Sequence, residues 1–238
     1  MIPLRDANPT HGRAWVTLLL IAANVGVFLL WEPITGTPRE QFVFFVCNGA
    51  IPEELTDLQP IPEVVRLCGG KSVLLSVLTS MFIHGGFLHI AGNMLFLWVF
   101  GNNVEDRMGW PGFVAFYLIA GVVAAYAQAL TDPSSQVPLV GASGAIAGTL
   151  GAYIVMFPHA RVLTLVPIFF FLQVAELPAW MVLGFWFVLQ AFQGVGDLAG
   201  DTAGVAWFAH IGGFVFGAAI GLFFRRRPQP RAVPWPPY

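Results

Sequence analysis

The sequence predicts an all-α fold, a polytopic membrane bundle of six transmembrane helices. Hydrophobic residues make up 57% of its 238 residues and charged residues only 10%, and the mean hydropathy is +0.73. Soluble domains carry about 25% charged residues, so the composition argues against a soluble fold. Six apolar runs are long enough to cross a bilayer, which takes about 20 residues each. The net charge of −2 and the scattered Lys and Arg residues offer no basic surface, so we expect no nucleic-acid partner.

The apolar runs divide the chain into a short N-terminal segment (1–13), a membrane domain (14–224) and a basic, proline-rich tail (225–238). The predicted transmembrane helices cover residues 14–31, 87–104, 112–130, 139–157, the second half of 162–192, and 203–224. Prolines punctuate the polar stretch between the first two helices. Residues 32–86 are therefore predicted to form a large outer loop with short helices, one of them near 73–83.

Basic residues set the expected orientation in the membrane. Short loops that stay in the cytoplasm are enriched in Lys and Arg. The loops at 131–138 and 193–202 contain neither, whereas arginines occur near both termini and at Arg107 and Arg161. We therefore expect both termini in the cytoplasm and the protein in a cell membrane, such as a bacterial inner or plasma membrane.

The two cysteines of the chain, Cys47 and Cys68, both fall in the large outer loop. On the outer face of a bacterial membrane this loop would meet an oxidising compartment, where a disulfide persists. A disulfide that closes the segment and a pair of buried free thiols are both compatible with the sequence.

Four polar residues lie inside predicted membrane helices, where such side chains are costly and usually functional. His89 and Asn93 are one turn apart near the start of the second helix, Ser143 is near the start of the fourth, and His210 lies about two turns into the sixth. All three helices run in the same direction, so these groups are expected at one level, about 6 to 10 Å below the outer surface. Hydrogen bonds between helices would be an alternative role for His89 and Asn93.

Glycines around these residues predict close approach of the helices. The fourth helix carries Gly144, Gly148 and Gly151, and the sixth carries Gly213, Gly217 and Gly221. Small residues four positions apart allow helix backbones to pack closely in lipid. Ser143 and His210 could then meet, with Gly141 and Gly144 leaving space for a substrate backbone.

The residue types fit acyl transfer. A serine hydroxyl becomes a nucleophile when a neutral imidazole accepts its proton, so Ser143 and His210 are the candidate nucleophile and base. The sixth helix has no acidic residue beside His210, which favours a dyad over a triad. His89, Asn93 and the backbone N–H of Ser143 are candidate donors to the developing oxyanion.

Three motifs contain these residues: His84-Gly85-Gly86-Phe87-Leu88-His89-Ile90-Ala91-Gly92-Asn93, Gly141-Ala142-Ser143-Gly144 and Ala209-His210-Ile211-Gly212-Gly213. At these motifs the sequence resembles the rhomboid family of intramembrane serine proteases. The resemblance implies a six-helix core, no cofactor, and hydrolysis of peptide bonds in or beside the transmembrane segments of single-span or other membrane proteins. By position it implies Ser143 as nucleophile, His210 as base, His89 and Asn93 as oxyanion donors, and a structural role for His84. Some members place an aromatic residue against the base, one turn after the serine, where this chain has Ala147.

Four other functions fit the sequence less well. A catalytically inactive rhomboid-like protein that binds membrane clients should lack the dyad, which this chain keeps. A bis-histidine haem protein would use His84, His89 or His210 as ligands, but only His210 faces His89 from another helix. No His-Glu-x-x-His zinc motif occurs, so no metal is expected, and a channel or transporter has only the general support of polar residues inside the membrane. The sequence does not determine the oligomeric state.

Overall fold

The computed structural model describes residues 1–168, 171–198 and 206–225. Within these ranges the chain forms ten helices and three strands. The helices are α1 (Trp15–Leu30), α2 (Pro38–Asn48), α3 (Pro52–Asp57), α4 (Pro62–Cys68), α5 (Val73–Ser80), α6 (Phe87–Met108), α7 (Trp110–Thr131), α8 (Ser143–Met156), α9 (Ala179–Leu198) and α10 (Trp207–Phe224). The strands are β1 (Ile2–Asp6), β2 (Arg161–Ile168) and β3 (Phe171–Pro178).

Each predicted membrane helix corresponds to an observed one, with small shifts at the ends. The fourth begins at Ser143 rather than residue 139, and the fifth begins directly after Pro178. Residues 203–205, predicted to open the last helix, and 226–238, most of the predicted tail, lie outside the described residues. Within the described residues, α7 and α10 are long and apolar enough to cross a membrane, and α1, α8 and the apolar part of α9 are shorter. Six crossings therefore remain a prediction.

The all-α prediction is wrong in one region, because β1, β2 and β3 form an antiparallel sheet in that order. The sequence predicts only an apolar run over residues 162–192, with a helix in its second half. In the structure Val162 and Thr164 are fully buried while their neighbours are more exposed, which is the alternation of a strand. Pro167 also disfavours a helix there. The partner strand β1 lies in the N-terminal segment, far away in sequence.

The N-terminal strand is fixed to the helices by one buried carboxylate. Asp6 Oδ2 accepts hydrogen bonds from the hydroxyl of Tyr153 and from Asn103 Nδ2, both at 2.6 Å. Burial raises the pKa of Asp6 to about 6, and the Tyr153 hydrogen bond opposes part of that rise. The sheet therefore packs at the end of α8 opposite Ser143.

The core of the bundle surrounds α8, in which every residue from Ala145 to Tyr153 is buried. A Cβ placed on Gly213 would overlap the carbonyl oxygen of Gly144, and one on Gly217 would overlap that of Gly148. Helices α8 and α10 thus pack backbone to backbone, as the glycine spacing predicted.

The outer loop carries α2 to α5 and is closed by a disulfide. Cys47 and Cys68 are bonded, with Cα atoms 5.6 Å apart, so the alternative of two free thiols does not hold. A fully buried ion pair joins Lys71 Nζ to Glu54 at 2.7 Å. Ala50 exchanges two backbone hydrogen bonds with Leu139, which attaches this loop to the chain that leads into Ser143.

Candidate active site

Ser143 and His210 lie in direct contact. Ser143 is the first residue of α8, and His210 lies in the first turn of α10. The Oγ atom of Ser143 is 2.8 Å from Nε2 of His210, which is a hydrogen-bond distance. The backbone packing of α8 on α10 holds these two helix starts together.

Gly141 shapes the turn before the serine. Its φ of 117° is unfavourable for any residue with a side chain, and its N–H donates to the carbonyl oxygen of Ser80 at 2.8 Å. A Cβ on Gly141 would lie 2.7 Å from Nε2 of His89. Gly141 therefore makes room for the His89 ring. The sequence predicts instead that this glycine leaves space for a substrate backbone.

Gly144 and Gly213 serve packing. A Cβ on Gly144 would lie 2.6 Å from that of Ala124 on α7, so this residue faces a helix and not the cavity. Gly213 faces the backbone of Gly144. Both lie near the site and support it structurally.

His89 and Asn93 carry possible hydrogen-bond donors in the cavity that Ser143 also lines. The N–H of Gly85 donates to Nδ1 of His89 at 3.2 Å, so in the neutral ring the proton lies on Nε2. The Nδ2 atom of Asn93 is buried and has no hydrogen-bond partner among the described residues. Both side chains line the same cavity as Ser143. The N–H of Ser143 lies in the first turn of α8, where backbone donors have no partner within the helix.

His84 lies behind the site. It is 1% exposed, its ring meets that of His89 edge to face, and its N–H donates to a carboxylate oxygen of Glu32 at 2.9 Å. The N–H of Ala142 points to Nε2 of His84 at 3.5 Å. These contacts fit the structural role that the sequence suggested.

The sequence did not identify the groups that surround the His210 ring. The Oε1 atom of Gln190 on α9 lies 2.6 Å from Nδ1 of His210. The rings of Trp186 and Trp207 lie with their centroids 6.0 and 6.2 Å from that of the imidazole. These residues replace the aromatic support that Ala147 does not supply. The sequence did contain a signal for Gln190, because a glutamine inside an apolar membrane helix is costly and indicates a polar partner.

A cavity of about 770 Å³ joins these groups. Its wall is formed by α6, the chain before α8, the first two turns of α8, and parts of α9 and α10. This volume lies in the range of about 300–1,000 Å³ typical of ligand sites. A peptide segment could therefore meet the serine there.

The arrangement leaves His210 poorly placed as a haem ligand. Both ring nitrogens of His210 have polar neighbours, Ser143 and Gln190, so the residue is not free as an axial ligand. Within the described part of the chain, no three His, Cys, Asp or Glu side chains cluster as metal ligands would.

Comparison with known proteins gives a consistent assignment. A family model described as "Rhomboid domain" matches residues 71–227. The Bos taurus "Presenilin-associated rhomboid-like protein, mitochondrial" is 30% identical over 216 residues, which are 88% of this chain and 48% of that protein. "RHOMBOID-like protein 5" of Arabidopsis thaliana is 27% identical over 238 residues, 94% of this chain and 72% of that protein. "Rhomboid protein 1, mitochondrial" of Saccharomyces cerevisiae is 31% identical over 163 residues, 64% and 42% of the two chains.

These comparisons bear on length and location. The chain spans about half the length of the presenilin-associated relatives that it matches. Several relatives carry the word mitochondrial in their names. Because these relatives are named as mitochondrial proteins, the predicted location in a bacterial inner or plasma membrane, with both termini in the cytoplasm, is wrong.

Proposed function

The chain belongs to the rhomboid family, and we propose that it is an intramembrane serine endopeptidase that cleaves peptide bonds in or next to transmembrane segments. The observation that carries the proposal is the 2.8 Å contact between Ser143 Oγ and His210 Nε2 inside a cavity. A hydroxyl hydrogen-bonded to an imidazole is the arrangement that activates a serine for attack on a carbonyl carbon.

The proposed reaction proceeds through an acyl-enzyme. His210 accepts the proton of Ser143 as Oγ attacks the peptide carbonyl, and then donates it to the leaving amine. His89 Nε2, Asn93 Nδ2 and the Ser143 N–H donate to the oxyanion that forms. A water molecule, activated by His210, then hydrolyses the ester. Apart from the water molecule, the proposed steps use only side chains and one backbone N–H of this protein, and they need no cofactor.

The proposed substrates are single-span or other transmembrane proteins. We propose that residues 14–224 form the membrane domain and that α1, α6, α7, α8, α9 and α10 are its six crossings. The carbonyl oxygen of a peptide bond in an intact helix is hydrogen-bonded within that helix, so the substrate must unwind locally before attack. The cavity around Ser143 offers polar groups to the unwound segment of the substrate.

The proposal is tested by cleavage in a bilayer. Wild type, Ser143→Ala and His210→Ala are reconstituted with a single-span substrate, and each is also treated with a fluorophosphonate. We expect both substitutions to lower cleavage by at least about a thousandfold, and Ser143→Ala to abolish labelling. Ser134→Ala and His159→Ala, at exposed positions outside the cavity, serve as matched controls.

Two outcomes would contradict the proposal. Cleavage at the wild-type rate by Ser143→Ala would mean that another nucleophile or another protein acts. Binding of the substrate without cleavage or labelling in the wild type would instead support an inactive, client-binding member of the family.

A further inference from the structure

Gln190 is a buried polar residue that the proposed reaction does not yet use. It lies in α9 among apolar residues and is 8% exposed. Burying an amide in apolar surroundings is costly unless it forms hydrogen bonds. Its Oε1 lies 2.6 Å from Nδ1 of His210, on the opposite side of the ring from Ser143.

The contact selects one form of the imidazole. A neutral histidine has one nitrogen that donates and one that accepts. The amide oxygen of Gln190 only accepts, so Nδ1 of His210 must carry the proton. The lone pair then lies on Nε2, which faces the hydroxyl of Ser143. This is the form of the ring that can accept the serine proton.

We propose that Gln190 is a positioning residue that acts through His210, holding the base in its Nδ1–H form and fixing the plane of its ring. The inference rests on the proposed function. In serine proteases with a triad, an acidic residue orients the base. Here a neutral amide takes that place, and no additional charge is buried in the bundle.

The geometry also connects the base to the position of α9. Trp186 lies one turn before Gln190 on the same helix and contacts the same ring. Both contacts require α9 to pack against α10. A displacement of α9 would therefore remove the oxygen acceptor and one aromatic neighbour of His210 together.

The kinetic test compares substitutions at two glutamines of α9. Gln190→Leu removes the acceptor at similar size and should lower kcat about ten- to hundredfold while KM changes less than about twofold, because the buried N–H loses its partner. Gln190→Glu keeps an acceptor and should restore most of kcat. Gln193→Leu makes the same change on an exposed position one turn away and should behave as wild type.

A second measurement does not depend on cleavage. The ¹⁵N shifts of the histidine ring report which nitrogen carries the proton. We expect the Nδ1–H form for His210 in Ser143→Ala and a mixture of forms in Ser143→Ala combined with Gln190→Leu. An Nε2–H ring with Gln190 intact, or a wild-type kcat for Gln190→Leu, would overturn the inference. If the unsubstituted protein does not cleave, the proposed function fails, and the ring spectrum still decides the role of Gln190.

Discussion

Asn93 presents an amide nitrogen to the cavity without a partner among the described residues. A buried donor that lacks an acceptor is costly in the resting protein. This energetic cost serves catalysis if an acceptor for the Asn93 amide is present only during the reaction. The carbonyl oxygen of a bound peptide, once negatively charged, would complete the hydrogen bond.

We therefore predict that Asn93→Ala lowers kcat about 10²- to 10³-fold and leaves KM nearly unchanged, because the bond strengthens in the transition state. Asn93→Asp keeps the size of the side chain but presents negative charge, and should be at least as slow. Asn102→Ala lies more than two turns away on α6 and is the control. Equal losses in Asn93→Ala and Asn102→Ala would assign Asn93 to packing.

Motifs in the sequence pointed to Ser143 and His210, which the structure places in contact, and to His89 and Asn93, which line the same cavity. The motifs did not point to Gln190 and Trp186. Ser143, His210, His89 and Asn93 were found because small residues and polar groups repeat at helical spacing around them. Gln190 and Trp186 belong to α9, whose rotation toward α10 depends on packing along the whole helix. A glutamine in an apolar helix indicates that Gln190 faces a polar partner, but it does not indicate that the partner is His210.

At the scale of elements, the packing of α8 on α10 determines whether the dyad forms. The α8 backbone lies so close to α10 that a side chain on Gly217 would overlap the carbonyl oxygen of Gly148. The contact lies more than a turn away from His210, so it acts on the dyad only through the separation and tilt of the two helices.

Gly217→Ala should therefore destabilise the protein by about 1–3 kcal/mol, the usual cost of overpacking, and should slow cleavage by lengthening the distance from Ser143 to His210. Thermal unfolding and cleavage rates measure the two effects. Gly184→Ala in α9, where a Cβ would meet no atom within 4 Å, should change neither. Full activity of Gly217→Ala would show that the helices separate without moving the dyad.

The helices could be predicted from apolar runs because a crossing needs a minimum length. The sheet could not be predicted in the same way. Its strands β2 and β3 are apolar and adjacent to α9, so they merge into one long run with that helix. Pairing with β1 requires a contact between residues about 160 positions apart, such as Ile2 with Leu165. The sequence of neither strand indicates which strand it pairs with.

Across the whole molecule, different contacts fix the segments at the two ends of the bundle. Around the dyad, a disulfide, a buried ion pair and backbone bonds to Leu139 fix the outer loop. At the other end, the N-terminal strand is fixed through Asp6 to Tyr153 on α8 and Asn103 on α6. The second attachment depends on a titratable group, so it should respond to pH.

The sign of that response follows from the pKa of Asp6. Docking raises this pKa from the ordinary value of 3.8 to about 6, so the docked strand binds a proton more tightly than the free strand. Docking is therefore strongest below about pH 4 and weakens as the pH rises through 6. The change is at most about a hundredfold in the docking equilibrium, because two pKa units correspond to two factors of ten.

Hydrogen-exchange protection factors of the backbone amides of Ile2, Leu4, Arg5 and Asp6, measured between pH 4 and 7, should therefore fall as the pH rises. Asp6→Asn should remove this dependence, because both hydrogen bonds go to a single oxygen, Oδ2, which an amide oxygen can replace. Glu176→Gln, a half-exposed position in the same sheet, should keep the wild-type profile. A pH-independent wild type would mean that β1 is held by its strand pairing and not by the carboxylate. The N-terminal segment would then be a fixed part of the bundle, whatever the proton concentration around it.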